Sequence, residues 1–361
     1  MKKRSILFLI LATLTLNMHA QQSFQSRYVH LKNGQTDTIY ASKCDSIVEL
    51  STIGFKVYYK NSEAKDYLYS QITAVDFFGE VVDADNNVNR NKYVYWTENN
   101  LVPNKYSNVS ESWRLEYPHI ELTANDQIVV KSTSDYGITL SLEWNYAKKA
   151  NRWTCYQLHK GNLVQNLKRT DDFAEDTEIP SQYRSLLTDY SGSGFDRGHL
   201  CPSADRQCSS EQNRQTFFLS NMQPQYHAHN GGKWSSLEGY VRTMAEGYCD
   251  TLYVVKAATI NDVTLNGSKQ SGLLSEMCNG TLYVPAYFYM ALLAYQKSTD
   301  TYQAIGIWTN HSNTANDIVI EYITIDELEK RTGIDFFCNL PDDIEEKVEA
   351  TMTRSFWSPF K

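Results

Sequence analysis

From Ile128 onward, strand-like and helical stretches follow one another in no regular strand–helix–strand order. Runs rich in β-branched and aromatic residues lie at Ile128–Lys131, Ile138–Trp144, Trp153–Leu158, Thr251–Ala257, Leu282–Tyr295 and Tyr302–Trp308, the signature of strands. Helical stretches are expected at Trp234–Gly247, Ile325–Thr332 and Asp342–Ala350. Thr324 and Pro341-Asp342 stand where the last two helices should start. Without a regular βαβ alternation the class is α+β. The chain has no internal repeat, no G-x-G-x-x-G and no P-loop.

The N-terminal part reads differently. Lys2, Lys3 and Arg4 form a basic start, and Ile6 to Leu16 form an apolar run that is too short for a bilayer, which needs ~20 residues. Met18-His19-Ala20 ends it with small-residue character. The expectation is a signal peptide over residues 1–20, cleaved after Ala20, and a protein that is secreted or periplasmic with no membrane insertion after cleavage. Residues 21–95 alternate short strand-like runs with turns, and Asn33-Gly34 between two such runs marks a hairpin. This predicts a small β-rich accessory domain. Residues 96–115 are rich in Asn and Ser, a linker composition, and residues 116–361 form the second domain.

Bulk properties narrow the function classes. A length of 361 residues allows one large or two ordinary domains. Mean hydropathy of −0.48 argues against a polytopic membrane protein. A net charge of −8 gives no global attraction to nucleic acid, so any such affinity has to come from a local site. The seven cysteines fit no zinc spacing. In an oxidising compartment Cys201 with Cys208, or Cys249 with Cys278, could pair, and Cys155 reads as a small buried residue.

The chemistry concentrates in two places. The stretch SGSGFDRGHLCP, residues 191–202, packs Asp196, Arg197, Gly198 and His199 in a row behind two glycines. Gly192 and Gly194 permit the unusual φ values of a sharp turn. Further on, residues 220–242 read SNMQPQYHAHNGGKWSSLEGYVR. Together they hold an imidazole, arginines and oxygen ligands. Hydrolysis of a phosphodiester needs those groups: a base of near-neutral pKa for water, fixed cations for the transition-state charge and a Lewis acid at the leaving oxygen.

Four ordered motifs carry a family resemblance. They are Asp189 to Pro202 with Ala204-Asp205-Arg206, Phe218 to Gln225, Asn230 to Glu238, and a closing segment with Asp326 to Phe337 and Leu340-Pro-Asp-Asp. Over roughly residues 115–361 the chain resembles the DNA/RNA non-specific endonucleases of the ββα-metal type. The resemblance implies a nuclease domain whose central antiparallel sheet is flanked by helices. It implies DNA and RNA as substrates, cleaved with little sequence preference. It makes His199 the general base and Asn230 the direct ligand of Mg²⁺, with Mn²⁺ or Ca²⁺ as alternatives. Glu238 would hold metal-bound water, since eight residues of continuous helix rise ~12 Å and separate it from Asn230. Arg197 and Arg169 would grip phosphate oxygens, and Asn221 would orient the scissile group.

Blander readings stand beside these. His199 could be a structural histidine. Arg197 could pair with Asp196 or Asp205, and Asn221 could serve only backbone in a turn. Arg169 lies far upstream in a polar loop. Glu238 could close a capping box with Ser235. His227 and His229 could suggest zinc, but no third ligand falls at helical spacing. The family often carries Lys where this chain has Tyr289. Between residues 160 and 245, nine Lys and Arg face ten Asp and Glu, so no basic stripe is visible. Two rival functions follow: a phosphodiesterase narrowed to one nucleic acid, and a catalytically silent binding protein on the same scaffold. Oligomeric state is not legible from the sequence.

Overall fold

A computed structural model describes residues 104–360 continuously and, before them, residues 26–33, 35–40, 44–50, 54–60, 63–76, 87 and 89–91. The expected signal peptide, and residues 96–103 of the expected linker, lie outside the described residues. The chain divides into two compact units, Met1–Ala84 and Asp85–Lys361.

Among the described residues the first unit has six strands: β1 (Ser26–Leu31), β2 (Thr36–Tyr40), β3 (Cys44–Glu49), β4 (Gly54–Tyr59), β5 (Ala64–Leu68) and β6 (Ile72–Asp76). They form two antiparallel three-stranded sheets, ordered β2-β1-β6 and β3-β4-β5. The β1–β2 hairpin falls around Asn33, whose Oδ1 accepts from the Gln35 N–H and tightens the turn. Val29, Ile39, Phe55, Val57, Tyr67 and Ile72 make this unit's core.

The second unit is built on a seven-stranded antiparallel sheet. Its strands are β7 (Asp126–Thr133), β8 (Gly137–Asn145), β9 (Ala150–Leu158), β12 (Thr251–Ala258), β17 (Tyr287–Gln296), β18 (Thr301–Asn310) and β19 (Ile320–Ile323). The spatial order is β19-β18-β17-β12-β9-β8-β7. The numbering gaps are filled by β10 (Asp196–His199) with β11 (Met222–Gln225), and by the small hairpins β13 (Val263–Leu265) with β14 (Ser268–Gln270) and β15 (Leu273–Cys278) with β16 (Leu282–Pro285). Among the described residues five α-helices complete the unit: α1 (Leu187–Tyr190), α2 (Ser210–Gln215), α3 (Ser235–Gly247), α4 (Ile325–Thr332) and α5 (Asp342–Glu349). The α+β class is therefore the observed one.

Both faces of the large sheet are covered, so its central strands are apolar on both sides. Leu252, Val254 and Ala258 of β12 pack with Trp234, Leu237, Val241 and Met244 of the α3 region. Val255 and Ala257 face the opposite layer, with Ile325 and Leu328 of α4 and Val348 of α5. Period-2 alternation along β12 thus puts Lys256 on the α3 face. Tyr289 stacks on Trp308 in the opposite layer, so the family's usual lysine position does not face α3 in this chain.

The helix starts follow the sequence signals. The Thr324 hydroxyl accepts from the Glu327 N–H at 3.2 Å and caps α4, while Pro341 precedes α5. The long run Leu282–Tyr295 is two strands, β16 and β17, parted at Ala286, whose N–H leaves the ladder for the Gly272 carbonyl. Residues 104–115, linker-like in composition, lie on the second unit: the Asn108 N–H donates to the Ile128 carbonyl, and buried Arg114 pairs with buried Glu116 at 2.7 Å. Asn87, Asn89 and Asn91 also bond into this unit, to Cys338, Asp335 and Asn339 among others. Neither suggested cysteine pair is a disulfide: Cys208 donates to Gln212, and Cys278 to the Asp189 carbonyl. Among the described residues no helix is long and apolar enough to cross a membrane.

Glu143 on β8 shows what the buried sheet costs. It is buried and accepts from Trp153 Nε1 at 3.0 Å. Burial pushes its carboxyl up to about 7, against the nearby Arg152 guanidinium. The folded state keeps a proton that the unfolded chain releases above about 4.5, so this group's contribution to stability is lost as pH rises from there to about 7. Glu143→Gln is expected to match the parent chain in urea unfolding at pH 5 and to exceed it at pH 8 by up to about 3 kcal/mol. Equal midpoints at both pH values would contradict this.

Candidate active site

The site is a β-hairpin-like pair laid against one helix. β10 and β11 run antiparallel in the register Asp196↔Gln225, Arg197↔Pro224, Gly198↔Gln223 and His199↔Met222. The chain then passes through a π-turn, His229–Trp234, into α3. Gly192 and Gly194, at φ +69° and +83°, make the turn before β10 as the sequence suggests. At Gly198 a Cβ would collide with Gln225 Oε1, so the Gln225 side chain occupies that space.

A cavity of about 840 Å³ opens beside β10. Arg169, Arg197, Asp196 and Asn230 line it together with Phe173, Phe195 and Tyr190. Arg197 stacks on Phe173 with its guanidinium 3.8 Å from the ring centre. It makes no ion pair among the described residues: Asp196 accepts instead from Asn230 Nδ2 and contacts His227 Nδ1, each at 2.9 Å, and Asp205 binds Arg242 and Tyr156. Arg169 lies over Phe217 at 4.9 Å and bonds to exposed Asp171. Both arginines therefore present cationic faces to the cavity.

His199 is 7% exposed and is not itself a lining residue. Its ring sits against Phe173 and Phe217, at 5.8 and 5.0 Å between centroids. Nε2 is buried and has no hydrogen-bond partner among the described residues. Burial lowers its pKa to about 3, and Arg169, Arg197 and Lys256 add to that. The imidazole is neutral near pH 7 and able to accept a proton.

Glu238 lies one turn into α3. No capping box forms: Trp234, not a side-chain acceptor, occupies the N-cap, because the chain already winds through the π-turn. Gly232 breaks that turn at φ −103°, ψ −105°, so Asn230 and Glu238 are not on one continuous helix. Glu238 Oε1 is 3.7 Å from Lys256 Nζ. Lys256 is 0% exposed, and its only charged neighbours among the ion pairs are Glu238 and Asp205, the latter at 4.0 Å. Burial raises the Glu238 carboxyl to about 7, and Lys256 opposes that rise.

The arrangement thus unites Arg169, Arg197 and Asn230 at one cavity, with His199 and Glu238 set deeper and linked by the field of Lys256. Asn221 is not brought there. It is 0% exposed; its Oδ1 accepts from the Cys201 N–H and its Nδ2 donates to the Cys201 and Thr216 carbonyls at 2.8–2.9 Å. Its amide is consumed in holding β10 to the segment before β11, which leaves no group to orient a substrate. His227 and His229 diverge: His227 is exposed on Asp196, while buried His229 bonds to Gln225 and Thr309. Burial lowers His229 to about 3, and His311, bound to the Tyr226 N–H and the Pro285 carbonyl, to about 4.

Sequence reasoning missed Lys256, Phe173 and the Asp196 bond that sets Asn230. Lys256 carried one signal, a single charge inside the apolar run VVKAA.

A cavity lined by an Arg197 with no ion pair among the described residues, an Arg169 paired only with the exposed Asp171 and an Asn230 amide, with a neutral buried imidazole beside it, suits an anionic, phosphate-sized substrate group. Comparison with known proteins agrees. The sequence model of the family described as DNA/RNA non-specific endonuclease matches residues 125–343. A nuclease of Nostoc sp. is 30% identical over 239 residues, covering 64% of this chain and 80% of that protein. Human mitochondrial nuclease EXOG is 30% identical over 207 residues, 55% of each chain. A solved complex of EndoG with its inhibitor EndoGI has a similar fold, with a TM-score of 0.52 over 60% of this chain and 88% of that one, at 23% identity.

Asn221→Ala is expected to destabilise the protein by roughly 3–5 kcal/mol, since it strands one buried N–H and two buried carbonyls. Urea unfolding reads this directly. Unchanged stability with a raised KM would instead place Asn221 at the substrate.

Proposed function

Because the chain belongs to the DNA/RNA non-specific endonuclease family, we propose that His199 is its general base, Asn230 its magnesium ligand, and Arg197 and Arg169 its phosphate clamp. The protein is a non-specific endonuclease that hydrolyses phosphodiester bonds, and the family is metal-dependent. The observation that carries the assignment is the buried, unpartnered Nε2 of His199 beneath two arginines that have no buried counter-charge.

Arg197 and Arg169 bind the non-bridging phosphate oxygens. The charge of the bound phosphodiester offsets the cations that depress His199, so its basicity rises when substrate arrives. His199 then takes the proton of the attacking water. Asp196 holds the Asn230 amide by its Nδ2, and among the described residues no group donates to the Asn230 Oδ1. That oxygen suits a hard divalent ion, and Mg²⁺ commonly keeps most of its waters, one of which Glu238 would hold. When bound, the ion supplies Lewis-acid stabilisation of the leaving oxygen. The contacts are to phosphate, which positions but does not read sequence, and both DNA and RNA are proposed substrates. Residues 1–20 are proposed as an export signal, delivering the nuclease outside the cytoplasm.

The test is cleavage of plasmid DNA, single-stranded DNA and RNA by residues 21–361, with Mg²⁺ and with excess EDTA. All three should be degraded only with metal. His199→Ala is expected to lose about 10²–10⁴-fold in kcat with an unchanged unfolding midpoint. A fully active His199→Ala protein, or a parent chain inert with every divalent ion, would overturn the assignment.

A further inference from the structure

A second oxygen-rich cluster lies on the opposite face of the large sheet, between α4 and α5. Asp326 and Glu329 sit three residues apart on α4, and Glu349 closes α5. One carboxylate oxygen from each lies within 4.8 Å of the other two. No Lys, Arg or His forms an ion pair with any of the three among the described residues; the neighbouring Arg331 is committed to Glu321 and Glu327. Glu349 is only 6% exposed, and its Oε1 is buried with no hydrogen-bond partner. Glu349 belongs to the cluster, and its burial with an unpartnered carboxylate oxygen sets the group apart from an ordinary acidic surface.

We propose that Asp326, Glu329 and Glu349 form a calcium site that clamps α4 to α5, separate from the nuclease centre and independent of the assignment made there. Ca²⁺ binds oxygen at ~2.3–2.6 Å in a flexible shell of 6–8 ligands. Two ligands on opposite sides of such an ion are ~4.8 Å apart, so all three oxygens fit one calcium sphere. Mg²⁺ keeps several waters and is usually held by one or two carboxylates, so three carboxylates suit Ca²⁺ better. The rest of the shell falls to water and to the second carboxylate oxygens. Glu329 is already positioned, since its Oε1 accepts from the Phe336 N–H at 2.8 Å, and the turn between the helices is fixed by Gly333 in the left-handed region at φ +67°. Two further carboxylates nearby, Asp335 and Glu345, are bridged by Asn89 Nδ2 at 2.9 and 3.2 Å. The inner three have no such donor across them.

The test uses the full second unit with its N-terminal partner, residues 21–361, carrying Asn230→Ala so that the nuclease centre does not contribute. Equilibrium dialysis with ⁴⁵Ca²⁺ at pH 7.5 should find one ion per chain with Kd on the order of 10⁻⁵–10⁻³ M, and calcium should raise the unfolding temperature. Adding Glu349→Gln should weaken binding at least tenfold and abolish the thermal shift, without lowering the metal-free unfolding temperature, because the amide keeps the shape of the carboxyl group it replaces. Glu329→Gln should do the same to binding. No bound calcium at millimolar concentration, binding unchanged by Glu349→Gln, or tighter binding of Mg²⁺ than of Ca²⁺ would each overturn the proposal.

Discussion

The proposed nuclease centre depends on two four-residue strands, β10 and β11, keeping one register. A ladder that short contributes few backbone bonds, and a slip by one residue would turn Arg197 and His199 to the wrong face. Buried amides hold it instead. Asn221 ties the end of β10 to the segment before β11 through three bonds. Gln223 reaches β9, donating to the carbonyl and Oδ1 of Asn151, while Asn151 donates to the Ser220 carbonyl. Gln225 crosses Gly198 to meet His229, which is fixed in turn by Thr309 of β18. The large sheet therefore acts as the frame, and these polar side chains transmit its rigidity to the site.

The same region is electrostatically tense by construction. Lys256 is wholly buried between Asp205 and Glu238, and Asp205 also accepts from Tyr156 and Arg242. An isolated buried ammonium would lose its proton or disrupt the fold; the paired acids keep it in place. Its field acts on both His199 and Glu238. A neutral imidazole and a carboxyl near pH 7 can thus coexist at one centre. Arg197 contributes the complementary feature: it rests on the face of Phe173 without a carboxylate partner, which keeps its forked donors available.

Much of this was legible in the chain. The α+β class followed from the order of runs, and the helix starts at Thr324 and Pro341 followed from capping chemistry. The motif residues Arg197, His199, Asn230 and Glu238 were singled out because their chemistry matches the reaction. What was not legible depends on tertiary placement. Asn221 has the same side chain whether it faces a substrate or three backbone groups; only its burial distinguishes them. The capping box at Ser235 failed because a π-turn upstream had already begun the winding. Lys256 looked like a flaw in a strand, since the sequence does not reveal which carboxylates the other elements bring to it. Residues 104–115 have a linker's composition, but Ser107 bonds to Asp126 and Ile128 of β7, the Asn108 N–H donates to the Ile128 carbonyl, and Arg114 pairs with Glu111 and Glu116.

Net charge is a poor guide to what such a protein binds. The chain is acidic overall, and even around the motifs the acids match the bases in number. The structure shows how arginines nevertheless face the cavity, beside Asp171 and an Asp196 taken up by Asn230 and His227. Glu211 is taken up by Arg214, Asp205 by Arg242, and Asp176 by Lys131, so these acids act on their own partners. Arg197 and Arg169, by contrast, turn toward the cavity, where Arg169's only acid is the half-exposed Asp171. A solvated carboxylate neutralises weakly in high dielectric, whereas arginines backed by aromatic rings keep their charge directed at one small volume. Attraction for phosphate is set by which charges are left over at the site, and that residue is determined by pairing in the fold, not by the sum over the sequence.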